Sequence, residues 1–162
     1  MQSKFKAKLR ALAWAGLKQV IRWRFPAVQQ LSPADLAERL QLGSPLLLLD
    51  TRSASEFAVS HLQGAQHRPT LEAALQQISP HTPVVTYCSI GYRSSRVAQQ
   101  LQAQGYPSVY NLEGSIFEWM NQGYPVFQQG QMTQAVHPYS FLWKGLLNPT
   151  VGAATEPAKP ST

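Results

Sequence analysis

The chain has 162 residues, with 14 Lys and Arg against 8 Asp and Glu, a formal net charge of +6 and a hydrophobic share of 44%. This length and composition fit one globular domain with extensions, and they exclude a chain that is disordered throughout. A single cysteine excludes an intrachain disulfide framework and a zinc site built from cysteines alone. Residues 1–26 hold seven basic residues and no acidic one, which leaves seven basic against eight acidic in the rest. The body of the protein is therefore close to neutral.

Residues 1–26 predict a basic, amphipathic helix that ends at a proline. On a helical projection an apolar stripe runs along one side, and four basic side chains lie on the opposite side. The stripe consists of Phe5, Leu9, Leu12, Gly16, Val20 and Trp23, and the basic set is Lys4, Lys8, Lys18 and Arg22. Four further large apolar side chains fall outside the stripe and make the helix only moderately amphipathic. They are Trp14, Leu17, Ile21 and Phe25.

Three interpretations of this helix are open. Its apolar run, residues 11–17, is far shorter than the ~20 residues of a membrane span, and its small residues are not placed as in a secretory signal. We favour a helix that lies on an anionic membrane surface over a helix that packs its stripe on its own domain. An organelle transit peptide is the third interpretation, supported by the absence of acids and opposed by the scarcity of serine. The expected location is the cytoplasm, with peripheral membrane attachment.

Residues 27–127 alternate between strand-like and helix-like segments. Three continuous apolar runs predict buried strands, and five segments between and around them have helical patterns. The strand runs are 45–50, 83–88 and 108–112; the helical segments are 32–43, 53–60, 70–79, 94–104 and 115–122. This alternation predicts an α/β domain with a central, mostly parallel β-sheet and helices on both faces.

The periodic pattern is lost beyond residue 127. Residues 128–136 are rich in glutamine, and residues 139–147 form a short apolar segment. We expect that segment to pack on the domain, with a docking site for a partner as the alternative. The last dozen residues are rich in Ala, Thr and Pro and are expected to be disordered. The predicted organisation is a helix at 1–26, a domain at 27–127 and a C-terminal extension at 128–162.

The cysteine, Cys88, lies where a buried strand ends and a helix begins. Open α/β sheets bind ligands at this carboxyl edge of their strands. The six residues that follow predict a short loop whose backbone N–H groups converge on an anion, with the helix capped by Ser94 or Ser95. They are Ser89, Ile90, Gly91, Tyr92, Arg93 and Ser94. A helix N-terminus and a nearby arginine stabilise a thiolate, so the position favours a reactive cysteine over a buried structural one.

The segment from Cys88 to Ser94 resembles the active-site loop of single-domain rhodaneses, the sulfurtransferase family, in its CxxGxRS form. Further segments are similar to the family's other motifs, in the family's order and spacing over roughly residues 28–127. They are Asp50-Thr51-Arg52, Glu56-Phe57, His61-Leu62-Gln63-Gly64-Ala65, Leu112-Glu113-Gly114-Ser115-Ile116 with Trp119, and Gly123-Tyr124-Pro125-Val126. Ser115 stands where the family commonly has a second glycine.

The resemblance implies a rhodanese-like fold and a sulfur-carrying cysteine. Cys88 would take a sulfane sulfur from a donor such as thiosulfate, become a persulfide and pass the sulfur to a thiophilic acceptor. The backbone amides of residues 89–94 would hold the persulfide. Arg93 would close the loop or meet an anionic donor, with a buried ion pair to Asp50 or Glu56 as the structural alternative. Asp50 and Arg52 would support the loop.

The sequence also bears on cofactors, substrates and rival chemistry. Cysteine phosphatases and arsenate reductases of this kind hold an oxyanion with five residues between Cys and Arg, whereas four separate Cys88 from Arg93.

The histidines lack metal-ligand spacing, so we expect no metal and no organic cofactor. A single cysteine requires an external acceptor, either cyanide or the thiol of a small molecule or protein. Ser89, Ile90 and Tyr92 carry no charge, which argues against a strongly cationic thiosulfate pocket.

Two other functions stay open at this point. The first is a rhodanese-like interaction module that is catalytically weak and tethered by its basic helix to a membrane or a partner. The second is sulfur delivery to RNA, but an apolar stripe on a helix fits lipid better than a base-stacking surface.

Overall fold

The computed structural model describes residues 2–76 and 78–158, and within these ranges its centre is a parallel β-sheet of five strands. The strands lie in the order β1-β5-β4-β2-β3, and every neighbouring pair is parallel. They are β1 (Gln29–Leu31), β2 (Leu47–Asp50), β3 (Gln66–His67), β4 (Val84–Tyr87) and β5 (Val109–Leu112). The three predicted strands are the three inner ones. The two edge strands lack a long apolar run, which is why the sequence pattern did not reveal them.

Helices cover both faces of this sheet, which confirms the predicted α/β class. They are α1 (Gln2–Arg24), α2 (Pro33–Gln41), α3 (Ala54–Val59), α4 (Leu71–Leu75), α5 (Tyr92–Ala103) and α6 (Ser115–Asn121). Successive side chains of a strand point to opposite faces, so the inner strands feed two cores. Leu48 and Val85 join the core that includes α2 and α6, whereas Leu49 and Val84 join the core that includes α5.

Helix α1 packs on the domain through a different face from the predicted stripe. Trp14 and Ile21 are 6% and 3% exposed, Phe25 is buried just beyond the helix, and Leu17 is half-buried. The indole of Trp14 donates a hydrogen bond of 3.1 Å to the Leu146 carbonyl. These side chains are the ones that fell outside the stripe. The expectation that a domain-packed helix would bury its stripe is therefore wrong.

The predicted stripe of α1 faces solvent instead. The exposed fractions of Leu12 and Trp23 are 61% and 81%. Two basic residues assigned to the opposite side hold the helix in place, since Lys18 pairs with Glu118 and Glu113, and Arg22 pairs with Glu113. Helix α1 therefore has two apolar faces, which explains its weak amphipathic pattern. None of the described helices combines the length and hydropathy needed to cross a membrane.

The C-terminal extension contains short elements that pack against the domain. They are β6 (Val126–Gln128), which begins within the predicted domain, β7 (Gln131–Thr133), β8 (Ala135–Val136), α7 (Phe141–Lys144) and β9 (Gly152–Ala153). In the apolar segment 139–147, Leu146 and Leu147 are each 7% exposed and belong to the core around α6. Of the last dozen residues, expected to be disordered, 151–158 are described. There β9 pairs with β8 because Gly152 donates to the Gln134 carbonyl at 2.8 Å; residues 159–162 lie outside the described part.

Candidate active site

Cys88 follows β4 directly and lines a cavity of about 210 Å³. The residue is only 1% exposed, so its thiol meets small molecules through this cavity. The Gly91 N–H donates to Sγ at 3.2 Å, and the Ser94 hydroxyl donates at 3.4 Å. Residues 89–94 were predicted to form the cradle. In the described part of the chain, the hydrogen bonds from these residues to Sγ come from the Gly91 N–H and the Ser94 hydroxyl.

These contacts act on the protonation of the thiol. Burial by itself raises the pKa of Cys88, because a thiolate loses its hydration there. The positive charge of Arg93 and the hydrogen bonds from Ser94 and Gly91 act in the other direction and outweigh burial, so the pKa of Cys88 lies below its ordinary value. The site therefore favours the nucleophilic thiolate form.

The turn that supplies these donors differs from the predicted one. Helix α5 begins at Tyr92, and its N-cap is Gly91 rather than Ser94 or Ser95. Gly91 has φ of +109°, and a Cβ there would lie 3.3 Å from the Asn111 amide nitrogen. The single proton of the Ser94 hydroxyl is shared between Cys88 Sγ at 3.4 Å and Asn111 Oδ1 at 2.5 Å, and the Ser95 hydroxyl donates to the Gly91 carbonyl. Tyr92, Arg93 and Ser94, predicted as loop, thus form the first turn of α5, whose N–H groups have no partner within the helix.

Glu56 binds the two side chains that close the loop. The Arg93 guanidinium donates to its two carboxylate oxygens at 2.7 and 2.9 Å, and the Ser89 hydroxyl donates at 2.9 Å. Burial alone would raise the pKa of Glu56, but these bonds and the N–H of Ser53 lower it to about 2. Of the two partners predicted for Arg93, the structure therefore selects Glu56. Helix α3 positions this carboxylate through a capping box between Ser53 and Glu56.

Asp50 and Arg52 form a separate buried ion pair, with Arg52 Nη2 2.6 Å from Asp50 Oδ2. Arg52 also donates to the Ser60 carbonyl at 2.6 Å, which ties the end of β2 to the end of α3. Among the hydrogen bonds of the described residues, neither side chain reaches residues 88–94. Any support that Asp50 and Arg52 give to the loop is therefore indirect: they hold the frame that carries Glu56, and Glu56 binds the loop.

Ser115 is a neighbour of the cysteine that sequence reasoning missed. Its hydroxyl oxygen accepts the Cys88 backbone N–H at 3.0 Å, and the hydroxyl lies 4.0 Å from Sγ. The residue is fully buried and has φ of +51°, a conformation that glycine adopts freely and serine at a cost of about 1 kcal/mol. The sequence feature that could have pointed to Ser115 is its place in the motif, where the family commonly has a second glycine.

Three further side chains at the cavity come from outside the predicted domain. Leu17 of α1 and Tyr139 and Trp143 of the extension line it together with the loop. The Arg93 guanidinium carbon lies 4.7 Å from the centre of the Tyr139 ring. No local motif marks these residues, because only the fold brings them next to Cys88.

The sequence model of the rhodanese-like domain matches residues 32–122, more than half of the chain. The chain belongs to the rhodanese family. A sulfurtransferase from Allochromatium vinosum is 32% identical over 101 residues, which cover 61% of this chain and 94% of that protein. The thiosulfate sulfurtransferase GlpE of Tolumonas auensis is 39% identical over 92 residues, covering 56% of this chain and 86% of its own length.

Solved structures agree on the fold. The crystal structure of the Alr3790 protein from Anabaena matches with a TM-score of 0.57 and 22% identity, over 60% of this chain and 91% of that one. Within this chain the rhodanese match includes Cys88, Glu56, Arg93 and Ser115. Helix α1 and residues 123–158 lie outside it, so part of the cavity wall is built by segments beyond the matched domain.

Proposed function

We propose that this rhodanese is a sulfurtransferase that carries a sulfane sulfur as a persulfide on Cys88. The observation that carries the proposal is the placement of Cys88 in the wall of a cavity, with hydrogen-bond donors to its Sγ from Gly91 and Ser94. Such preorganised donors stabilise a negative charge on sulfur without reorganisation during the reaction. The lowered pKa of Cys88 supplies the thiolate.

In the first half-reaction the Cys88 thiolate attacks the outer sulfur of thiosulfate. A new S–S bond forms on Cys88, the S–S bond of thiosulfate breaks, and sulfite leaves with the bonding electron pair. In the second half-reaction cyanide or a thiolate attacks the terminal sulfur, so thiocyanate or a new persulfide leaves and the Cys88 thiolate returns. The acceptor is external, because Cys88 is the only cysteine of the chain.

The arrangement of Arg93 speaks against phosphate chemistry as the alternative. Both terminal nitrogens of its guanidinium bind Glu56, and one also contacts the Ser89 hydroxyl at 3.1 Å. A phosphatase needs such a fork for the phosphate itself. Here Arg93 acts on the thiolate through its charge and on the loop through its hydrogen bonds.

The test is the mass of the intact protein after incubation with thiosulfate, before and after cyanide is added. The wild type gains the mass of one sulfur atom, loses it with cyanide and releases thiocyanate, whereas Cys88→Ser does none of these. If the wild type stays unmodified with thiosulfate and with organic persulfide and thiosulfonate donors, the protein is a rhodanese-like interaction module instead.

A further inference from the structure

The cavity above Cys88 has an almost entirely apolar wall. Leu17 comes from α1, Ile90 and Tyr92 from the loop and the first turn of α5, and Tyr139 and Trp143 from the C-terminal extension. Apolar cavities of about 150 Å³ accommodate a benzene ring, so the 210 Å³ here hold one ring together with a reacting group.

The Arg93 guanidinium and the Ser89 hydroxyl at this wall are already bound to Glu56. Arg93 is the charged residue among those that line the cavity, and Glu56 neutralises it through two hydrogen bonds. The Tyr139 ring lies against the same guanidinium, and the Ser89 hydroxyl also donates to Glu56. The residues that line the cavity therefore offer a dianion such as thiosulfate no unpaired cationic side chain. A hydrocarbon group, in contrast, can pack against the apolar side chains of the wall.

We propose that the cavity binds the aryl or alkyl part of an organic sulfur substrate, with Leu17, Tyr139 and Trp143 as the residues that set this preference. The inference rests on the persulfide chemistry proposed above. The substrate class is that of apolar organic thiosulfonates and persulfides as donors, and of the corresponding thiols as acceptors.

With a thiosulfonate the transfer balances in atoms and charge. The Cys88 thiolate attacks the terminal sulfur, the S–S bond on Cys88 forms, and the donor S–S bond breaks. A sulfinate leaves with the electron pair, so one negative charge stays on the persulfide and one on the leaving group. Desolvation of the apolar group in the cavity favours this donor over thiosulfate.

The test compares kcat/KM for benzenethiosulfonate and for methanethiosulfonate, which share their reacting atoms and differ in apolar surface. We expect a ratio of at least about 10 in favour of the aryl donor, since burial of a ring contributes more than one factor of ten. Trp143→Ala lowers this ratio at least about 5-fold. The control Phe141→Ala, an 88% exposed ring of the same segment that does not line the cavity, leaves it unchanged.

A second variant keeps the test decisive if Trp143→Ala disturbs the folding of the C-terminal extension. Leu17→Gln changes the wall from helix α1, an independent element, and also lowers the ratio. A ratio near one in the wild type, or a ratio that neither variant changes, overturns the apolar site while leaving sulfur transfer intact. Absence of a persulfide with every donor instead contradicts the proposed function itself.

A different observation carries a second inference, on the exposed face of α1. Its apolar side chains form a row along the helix while the other face is anchored to the domain, so the row is held at the protein surface. The exposed fractions are 64% for Phe5, 51% for Leu9, 61% for Leu12, 55% for Val20 and 81% for Trp23. Leu142, 82% exposed, shares a groove with Leu9 and extends this surface.

The helix that carries this row is positively charged, with Lys4 and Lys8 on the opposite side of the helical projection. Lys4, Lys6 and Lys8 are exposed, and none of them takes part in an ion pair in the described part of the chain. Helix α1 contains no acidic residue. A second copy of the same face is disfavoured because like charges would meet. An anionic lipid surface supplies both the apolar interior and the opposite charge.

We infer that α1 docks the protein on an anionic membrane surface, with Leu12 and Trp23 entering the lipid interface. The test is co-sedimentation of the full chain with phosphatidylcholine vesicles, with and without phosphatidylglycerol. We expect binding that requires phosphatidylglycerol and falls at high salt. Replacing Lys4, Lys6 and Lys8 by Gln lowers the partition coefficient by about 100-fold, because the loss of each charge lowers it about 5-fold.

The apolar contribution is tested by Leu12→Gln together with Trp23→Gln, which lowers the partition coefficient at least about 10-fold. Met132→Gln, a change of a 70% exposed apolar residue on β7, is the matched control and leaves it unchanged. Three results overturn the inference: equal binding to neutral vesicles, wild-type binding by the double variant, or a dimer in solution that this variant dissociates.

Discussion

The Glu56 carboxylate receives two hydrogen bonds from the Arg93 guanidinium, at 2.7 and 2.9 Å, and so ties helix α3 to the first turn of α5. The same carboxylate accepts the Ser89 hydroxyl, which lies between Cys88 and Gly91 in the loop. One side chain thus sets both the course of the loop and the position of the positive charge that acts on the thiol.

We predict that Glu56→Gln lowers the free energy of unfolding by about 2 kcal/mol, because it leaves the partly buried Arg93 without its counter-charge. The folded protein holds the pKa of Glu56 at about 2, below its ordinary 4.5. The unfolded chain therefore binds the proton more readily, and this stabilisation is present above pH 4.5 and is lost as the pH falls from 4.5 towards 2. Urea unfolding at several pH values measures both effects.

In the wild type we expect stability to decline over that acidic range, and in Glu56→Gln we expect a shallower decline. Glu38→Gln, at an exposed carboxylate of α2, is the control and changes the free energy of unfolding by less than about 0.5 kcal/mol. Identical pH profiles for wild type and Glu56→Gln would contradict the role assigned to this pair.

The hydrogen bond from Ser94 contributes to the lowered pKa of Cys88, so Ser94→Ala raises that pKa. The pH dependence of alkylation by iodoacetamide reports the thiolate: its midpoint lies below that of a free cysteine in the wild type and moves upward in Ser94→Ala. Ser95→Ala is the matched control, because its hydroxyl donates to the Gly91 carbonyl and not to Sγ. A midpoint that both variants leave in place would exclude this contribution.

Two substitutions at Ser115 separate backbone strain from hydrogen bonding. Ser115→Ala keeps the unfavourable φ of +51° and leaves the buried Cys88 N–H without its acceptor, at a cost of about 2 kcal/mol. Ser115→Gly loses the same bond but relieves the strain, so its cost is about 1 kcal/mol. Urea unfolding should therefore rank the wild type above Ser115→Gly and Ser115→Gly above Ser115→Ala. Equal stability of the two variants would show that no strain is stored there.

Helix α1 should behave as part of the site and not as a detachable tether. Ile21 is 3% exposed, and its Cδ1 lies 3.5 Å from the point that a Cβ on Gly91 would occupy. We predict that Ile21→Ala lowers the free energy of unfolding by about 2 kcal/mol and slows persulfide formation. Val20→Ala, at the adjacent 55% exposed position, is expected to change stability by less than about 0.5 kcal/mol. If Ile21→Ala leaves both stability and rate unchanged, α1 does not support the loop.

Sequence reasoning succeeded where the signal is local in the chain. The apolar runs of β2 and β4 predict buried strands because both faces of a central parallel strand are covered. The edge strands β1 and β3 have three and two residues, too few to show a period. For α1 the projection displayed two sets of apolar side chains, and nothing in the segment itself tells which one is buried. Contacts with distant residues decide this, among them Glu113, Glu118 and the Leu146 carbonyl.

By itself, the sequence determined where the candidate nucleophile lies: a cysteine that ends a buried strand and opens a turn into a helix. That arrangement spans seven consecutive residues, so local backbone geometry is sufficient to define it. Only the tertiary structure decided what surrounds the thiol. Glu56 neutralises Arg93 from 37 residues away, and Tyr139 and Trp143 close the cavity from the extension. Such contacts depend on which surfaces pack together over the whole chain, and no short pattern records them.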